Sequence, residues 1–243
     1  MINNIKIIAF ALLLSICGIF DKASAGVIYS SDFSKNSSSH HASEFTGANA
    51  VTTAPGDAFT GNKPISFLGV LTQGATATLR LTGLNPYEFV RLNFDLYALN
   101  SLDGDGQDGY GPDIFSVYAN NKSIMSNTFS GYLAPSTTTQ NYPVNNSKAG
   151  SGQSAFDVPA FGMQSTYSMV SIYNISLNAT AGGDGTISFG FSGRSSEPWP
   201  NEGFGVNNIV VMSNVPEPVS IFLFGVGLIG IGLFARPRSL VKI

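Results

Sequence analysis

Apolar and polar residues alternate singly along several stretches of this chain, and a two-residue period confines those stretches to strands with one buried and one wet face. Ala77, Leu79 and Leu81 interleave with Thr76, Thr78 and Arg80; Val90, Leu92, Phe94 and Leu96 interleave with Arg91, Asn93 and Asp95. Tyr173, Ile175 and Leu177 alternate with Asn174, Ser176 and Asn178, and Ile187, Phe189 and Phe191 alternate with Ser188, Gly190 and Ser192. Further strands are expected near residues 27–33, 66–71, 114–119 and 204–212. Glycine-rich turns at 104–111, 150–152 and 182–185 separate these runs, and no long 3.6-residue period occurs between them. Roughly ten short strands punctuated by turns predict an all-β, antiparallel β-sandwich of jelly-roll-like form, with a partly open barrel as the alternative. The polar stretches 34–43 and 136–152 are expected to be loops.

Neither end of the chain shares this pattern. Residues 1–6 carry one positive charge, Lys6, and residues 7–20 are almost wholly apolar. Ala23-Ser24-Ala25 follows, then Gly26. A charged start, an apolar stretch too short to span a bilayer and a small-residue cleavage site make a secretory signal peptide, with cleavage expected between Ala25 and Gly26. The Sec translocon is the expected export partner. Cys17 is the only cysteine and Ile16 precedes it, not the small residue that lipid attachment needs. The exported chain would therefore hold no disulfide and no thiolate, and its stability must come from its core or from bound ions.

At the other end, residues 219–235 carry no charge, and Arg236, Arg238 and Lys242 come directly after. This is about the shortest length that crosses a hydrocarbon core, roughly 17 residues. The basic residues orient the tail to the cytoplasm and the body to the far side of the inner membrane. Before the apolar span stands Val215-Pro216-Glu217-Pro218. Prolines on both sides of Glu217 hold the tetrapeptide extended and out of the helix, a shape suited to a protease cleft. Pro216-Glu217-Pro218, the apolar span and the basic end together resemble the PEP-CTERM sorting signals of Gram-negative bacteria. The resemblance implies processing by exosortase, a membrane transpeptidase-like enzyme, and an association with exopolysaccharide production and biofilm. It covers 215–243 only; with 1–25 as signal peptide, 26–214 remains as the β-sandwich domain.

Removing both ends takes five basic and two acidic residues from totals of 12 and 15, which leaves a body with 7 basic and 13 acidic residues. Such a surface repels nucleic acid, so no nucleic-acid partner is expected, and it favours divalent cations.

The richest stretch for chemistry is 103–113, where Asp103, Asp105, Asp108 and Asp113 lie among glycines between two expected strands. Calcium takes six to eight oxygen ligands on a chain that bends tightly, and the first three carboxylates are spaced to converge. The spacing is not that of an EF-hand, and a solvated acidic turn is the alternative. The segments 92–97, 111–117 and 202–211 also resemble strands of secreted jelly-roll and lectin-like sandwiches. That resemblance implies structural-ion roles for Glu202 and Asn207. Trp199, the only tryptophan, sits in Glu197-Pro198-Trp199-Pro200; it would either stack on a sugar ring or cover the end of the sandwich. His40 and His41 fall in a serine-rich loop and are expected to be solvated. No nucleophile-elbow or zinc-protease motif is present.

These features predict a non-catalytic envelope protein, anchored in the inner membrane before processing and then placed at the cell surface or in the extracellular matrix. A calcium-dependent carbohydrate-binding module is the alternative, and a polysaccharide-active hydrolase working through two carboxylates is the second alternative.

Overall fold

Alternation becomes two stacked sheets in the computed structural model, which describes residues 26–34, 44–106, 109–131, 137–165 and 167–213. The expected signal peptide with Ala25, the sorting motif at 215–218, Arg236, Arg238, His40, His41 and Asp108 lie outside the described residues. Fourteen strands are present among the described residues: β1 (Val27–Ser31), β2 (Phe45–Gly47), β3 (Val51–Ala54), β4 (Ile65–Leu71), β5 (Ala75–Leu81), β6 (Phe89–Asn100), β7 (Ile114–Ala119), β8 (Lys122–Thr128), β9 (Thr139–Gln140), β10 (Ser147–Lys148), β11 (Ala155–Asp157), β12 (Val170–Thr180), β13 (Ile187–Arg194) and β14 (Glu202–Ser213).

One sheet has seven strands in the order β11-β12-β6-β14-β4-β3, with β1 also paired to β14; the other has five, in the order β2-β5-β13-β7-β8. Every pairing is antiparallel. The long β14 keeps β6 along one edge and shares its other edge between β4 and β1, with a break in register between Asn207 and Val210.

The inward residues are those the alternation selects. Leu92, Phe94 and Leu96 of β6, Tyr173 and Ile175 of β12, Phe189 and Phe191 of β13 and Phe204 and Val206 of β14 form one core between the sheets. Phe94 meets Phe191 edge-on with ring centres 5.4 Å apart. A second, smaller cluster lies on the outer side of the seven-stranded sheet. There Phe67, Tyr97, Leu99, Val170 and Ile172 are covered by Ala160 and Phe161, with Trp199 and Met163 packed against them.

The stretch 136–152, expected as a loop, holds the short β9–β10 hairpin. Its order comes from one buried amide. Gln140 Nε2 donates to Tyr142 O at 2.6 Å and Ser151 O at 3.0 Å, while its Oε1 accepts from the amides of Ser130 at 3.2 Å and Gly150 at 3.1 Å.

Candidate metal centre

Strands β6 and β14 run side by side, and Asn100 at the end of β6 faces Glu202 at the start of β14. The loop after β6 and the loop before β14 therefore meet at one end of the sandwich. The first carries Asp103 to Asp113 and the second Glu197 to Glu202.

Backbone bonds shape the first loop. Asp103 bridges to Ser130, Gly104 N donates to Phe129 O at 3.1 Å and Asp105 N donates to Thr139 O at 2.8 Å. Gly104 has a φ of +61°, and a Cβ there would stand 2.1 Å from Thr139 O, so no side chain fits. The second loop turns back through Asn201 N donating to Pro198 O at 2.9 Å, and Asn201 Nδ2 donates to the Glu197 carboxylate at 2.5 Å.

Carboxylate oxygens of Asp103, Glu197 and Glu202 consequently lie within 4.8 Å of one another. Calcium–oxygen bonds are about 2.3–2.6 Å, so two oxygens on one ion stand at most about 5 Å apart. The three groups thus fit around a single hard cation. Glu202 is fully buried, and its Oε1 has no hydrogen-bond partner among the described residues. Its Oε2 accepts from the Glu197 amide at 3.0 Å. A buried carboxylate oxygen is costly to leave unpaired, and a bound cation would supply the missing partner.

Asp113, also fully buried, stands behind this group. Its Oδ2 accepts from the Asp103 amide and its Oδ1 from the Ser196 amide at 3.1 Å, so it ties the two loops together. Burial pushes the Asp113 carboxyl up to about 6, against the pull of those two amides, and the Asp103 charge adds to the rise. Glu202 is pushed up to about 8, first by burial and then by the charges of Asp113 and Asp103.

Of the residues singled out in the sequence, Asp103 and Glu202 come together, with Asp113 alongside. Asp105 turns elsewhere: its carboxylate accepts from the hydroxyls of Thr128 at 2.5 Å and Thr139 at 2.7 Å, pinning the loop to β8 and β9. Asn207 is set apart, because its odd position on β14 faces the outer cluster, where Nδ2 donates to the Tyr97 hydroxyl at 3.0 Å. Trp199 is half-buried against that same cluster and is not in the carboxylate group. Glu197 was not among the expected ligands; it lies two residues before Trp199 in the sequence, and only the turn at 198–201 brings it back to Glu202.

Residues 214–239 match the PEP-CTERM protein-sorting motif. That motif implies an exported protein, anchored through its C-terminal region before exosortase processing. A search of curated protein sequences gave no match. Among solved structures, the chain is similar to the C-terminal CBM6 of LamC, a marine laminarinase from Zobellia galactanivorans, at 12% identity over 72% of this chain and 96% of that one, with a TM-score of 0.35. It is also similar to a family 35 carbohydrate binding module from Clostridium thermocellum (10% identity, 77% and 97% coverage, TM-score 0.34). A third is the K1 cleaved adhesin domain of Lys-gingipain from Porphyromonas gingivalis W83 (9% identity, 70% and 90% coverage, TM-score 0.38).

Proposed function

We propose that this chain is an exported protein, cut by an exosortase in its C-terminal segment, whose β-sandwich body serves a non-catalytic structural or interaction role at the cell surface or in an exopolysaccharide matrix. Calcium held by Asp103, Glu197 and Glu202 braces the loop end of that body. The sorting motif supports the export and processing.

The observation that carries the cation is Glu202: fully buried, with one oxygen unpaired, beside two further carboxylates. The ion would supply charge neutralisation and oxygen coordination, which lock the loop after β6 onto the loop before β14. The same burial speaks against a hydrolase. Glu202, Asp113 and Asp157 are the described carboxyls with raised proton affinity, as an acid catalyst needs, yet all three are buried away from a substrate. Carbohydrate recognition is the alternative form of the interaction role, and Trp199, half-buried against the outer cluster, is placed to cover that end of the sheet.

Calorimetric melting of the full chain in detergent tests the metal. Calcium at about 10 mM saturates sites of the extracellular type, roughly 0.1–1 mM in Kd. A ligand at a hundred times its Kd adds about 2.7 kcal/mol to stability. The melting temperature is therefore expected to rise by several degrees over a chelator control, and Asp103→Ala is expected to abolish the rise. Equal melting with calcium and with chelator in the unaltered chain removes the metal from the account.

A further inference from the structure

We propose that a groove on the outer face of the five-stranded sheet is a subsite for one ring of a neutral glycan. This gives the interaction role above a place, and it rests on that reading for its biological setting but on separate residues for its evidence.

The outward positions of the central strand β13 read Ser188, Gly190, Ser192. Gly190 lies opposite Thr78 of β5 on one side and Tyr118 of β7 on the other. The side chain missing from the middle of this row opens a hollow of about 260 Å³, lined by Thr76, Thr78, Tyr118, Asn121, Ser188 and Gly190. Drug-sized pockets run roughly 300–1,000 Å³, so this one suits a single small ring with its neighbours running on across the strands.

Nothing among the described residues requires glycine there. Its φ is not in the left-handed range, and a Cβ would meet Thr76 Cγ2 and Tyr118 Cβ and Cδ2 at 3.6 Å, ordinary contact. Gly193 and Gly205 are the contrast: a Cβ would come within 2.5 Å of Leu71 O at the first and of the Phe67 ring at the second. Glycine inside a strand weakens it and marks places where another molecule approaches closely. At 190 no described residue comes nearer than ordinary contact.

The lining has the chemistry of a sugar site. Tyr118 offers an aromatic surface for the apolar face of a pyranose and a hydroxyl at its tip. The hydroxyls of Thr78, Ser188 and Tyr118 and the carboxamide of Asn121 make no hydrogen bond to other described residues. Thr76 differs, since its hydroxyl donates to Ser192 Oγ at 2.8 Å and anchors the edge of the groove. No lining residue is charged, which selects a neutral sugar over an acidic one.

The test is isothermal titration of the full chain, held in a sugar-free detergent, with neutral hexasaccharides: β-1,3-glucan, β-1,4-glucan, α-1,4-glucan and β-1,4-galactan. Saturable binding of at least one is expected. Gly190→Val fills the hollow with a residue that strands favour and should weaken binding at least tenfold with melting retained; Tyr118→Ala should do the same, and decides the matter if Gly190→Val does not fold. Trp199→Ala is expected to leave affinity unchanged. Absence of binding to all four probes overturns the groove, as does full affinity in both groove variants. Loss confined to Trp199→Ala overturns the groove while leaving a carbohydrate role standing, and the calcium melting and C-terminal processing are read separately from either result.

Discussion

A carboxyl group shut away from water keeps its proton to higher pH than a solvated one. Glu202 and Asp113 are such groups, and the sign of their effect follows. Both bind a proton more tightly folded than unfolded, where Glu and Asp have reference values of 4.5 and 3.8. In the metal-free protein their contribution to stability is therefore complete below about pH 4. It is lost as pH rises through about 6 for Asp113 and about 8 for Glu202. Chemical denaturation in chelator is expected to show stability falling between pH 5 and about 8, and Glu202→Gln is expected to flatten most of that fall. Calcium competes with these protons, so its stabilising increment should grow across the same range. An increment independent of pH would place the ion away from Glu202. At this scale the sequence was half legible. Asp103, Asp113 and Glu202 stood out as carboxylates beside strands, but Glu197 read only as a neighbour of Trp199, because a reversal between two prolines has no periodic signature. Gln140 was unreadable for a related reason: it is a polar residue in a polar stretch, and its order depends on bonds to Ser130, Tyr142, Gly150 and Ser151.

Elements were legible where one face is buried and one is wet, and obscured elsewhere. β5, β12 and β13 alternate cleanly in sequence and have inward residues in the main core. β8 was missed, because Lys-Ser-Ile-Met-Ser-Asn-Thr buries only Met125 and Thr128 along its length. In β6 the alternation stops at Leu96-Tyr97-Ala98-Leu99, where every residue is buried. The reason is the segment after β11, which folds over Tyr97 and Leu99 and gives the sheet a second buried face. Phe161 is the anchor of that cover. Its ring is fully buried and meets Tyr97 edge-on with centres 4.9 Å apart. The Phe161 amide donates to Asp157 Oδ2 at 2.7 Å, and its carbonyl accepts from Gly56 N at 2.8 Å, so two loops are joined through one residue. Phe→Ala at a buried site costs about 3–5 kcal/mol. Phe161→Ala is expected to fall in that range by urea denaturation. The calcium increment should survive, since the cover lies outside the carboxylate group. A loss under about 1 kcal/mol would show that the outer cluster adds little to the fold.

For the whole molecule, the sandwich and the sorting signal are separable in sequence because their physics differs. A strand pattern buries side chains against a second sheet, whereas a charge-free run after Val215-Pro216-Glu217-Pro218 has the composition of a lipid-facing helix. Cys17 is the only cysteine in the chain, so no disulfide within the body can hold it together after release. The main core must suffice, with the proposed cation as its one added brace. Processing is then expected to depend on the tetrapeptide and not on the body. Replacing Pro216 by Ala and Pro218 by Ala together gives the chain freedom to extend the helix through this segment. In producing cells the altered chain should stay in the membrane fraction with its last residues intact by mass spectrometry, while the unaltered chain appears outside the cell with a C-terminus inside 214–239. Melting of the two in calcium should be the same, because neither substituted position belongs to a strand of the two sheets. Release of the altered chain at the unaltered rate would mean that the Pro-Glu-Pro segment is not what the processing enzyme reads.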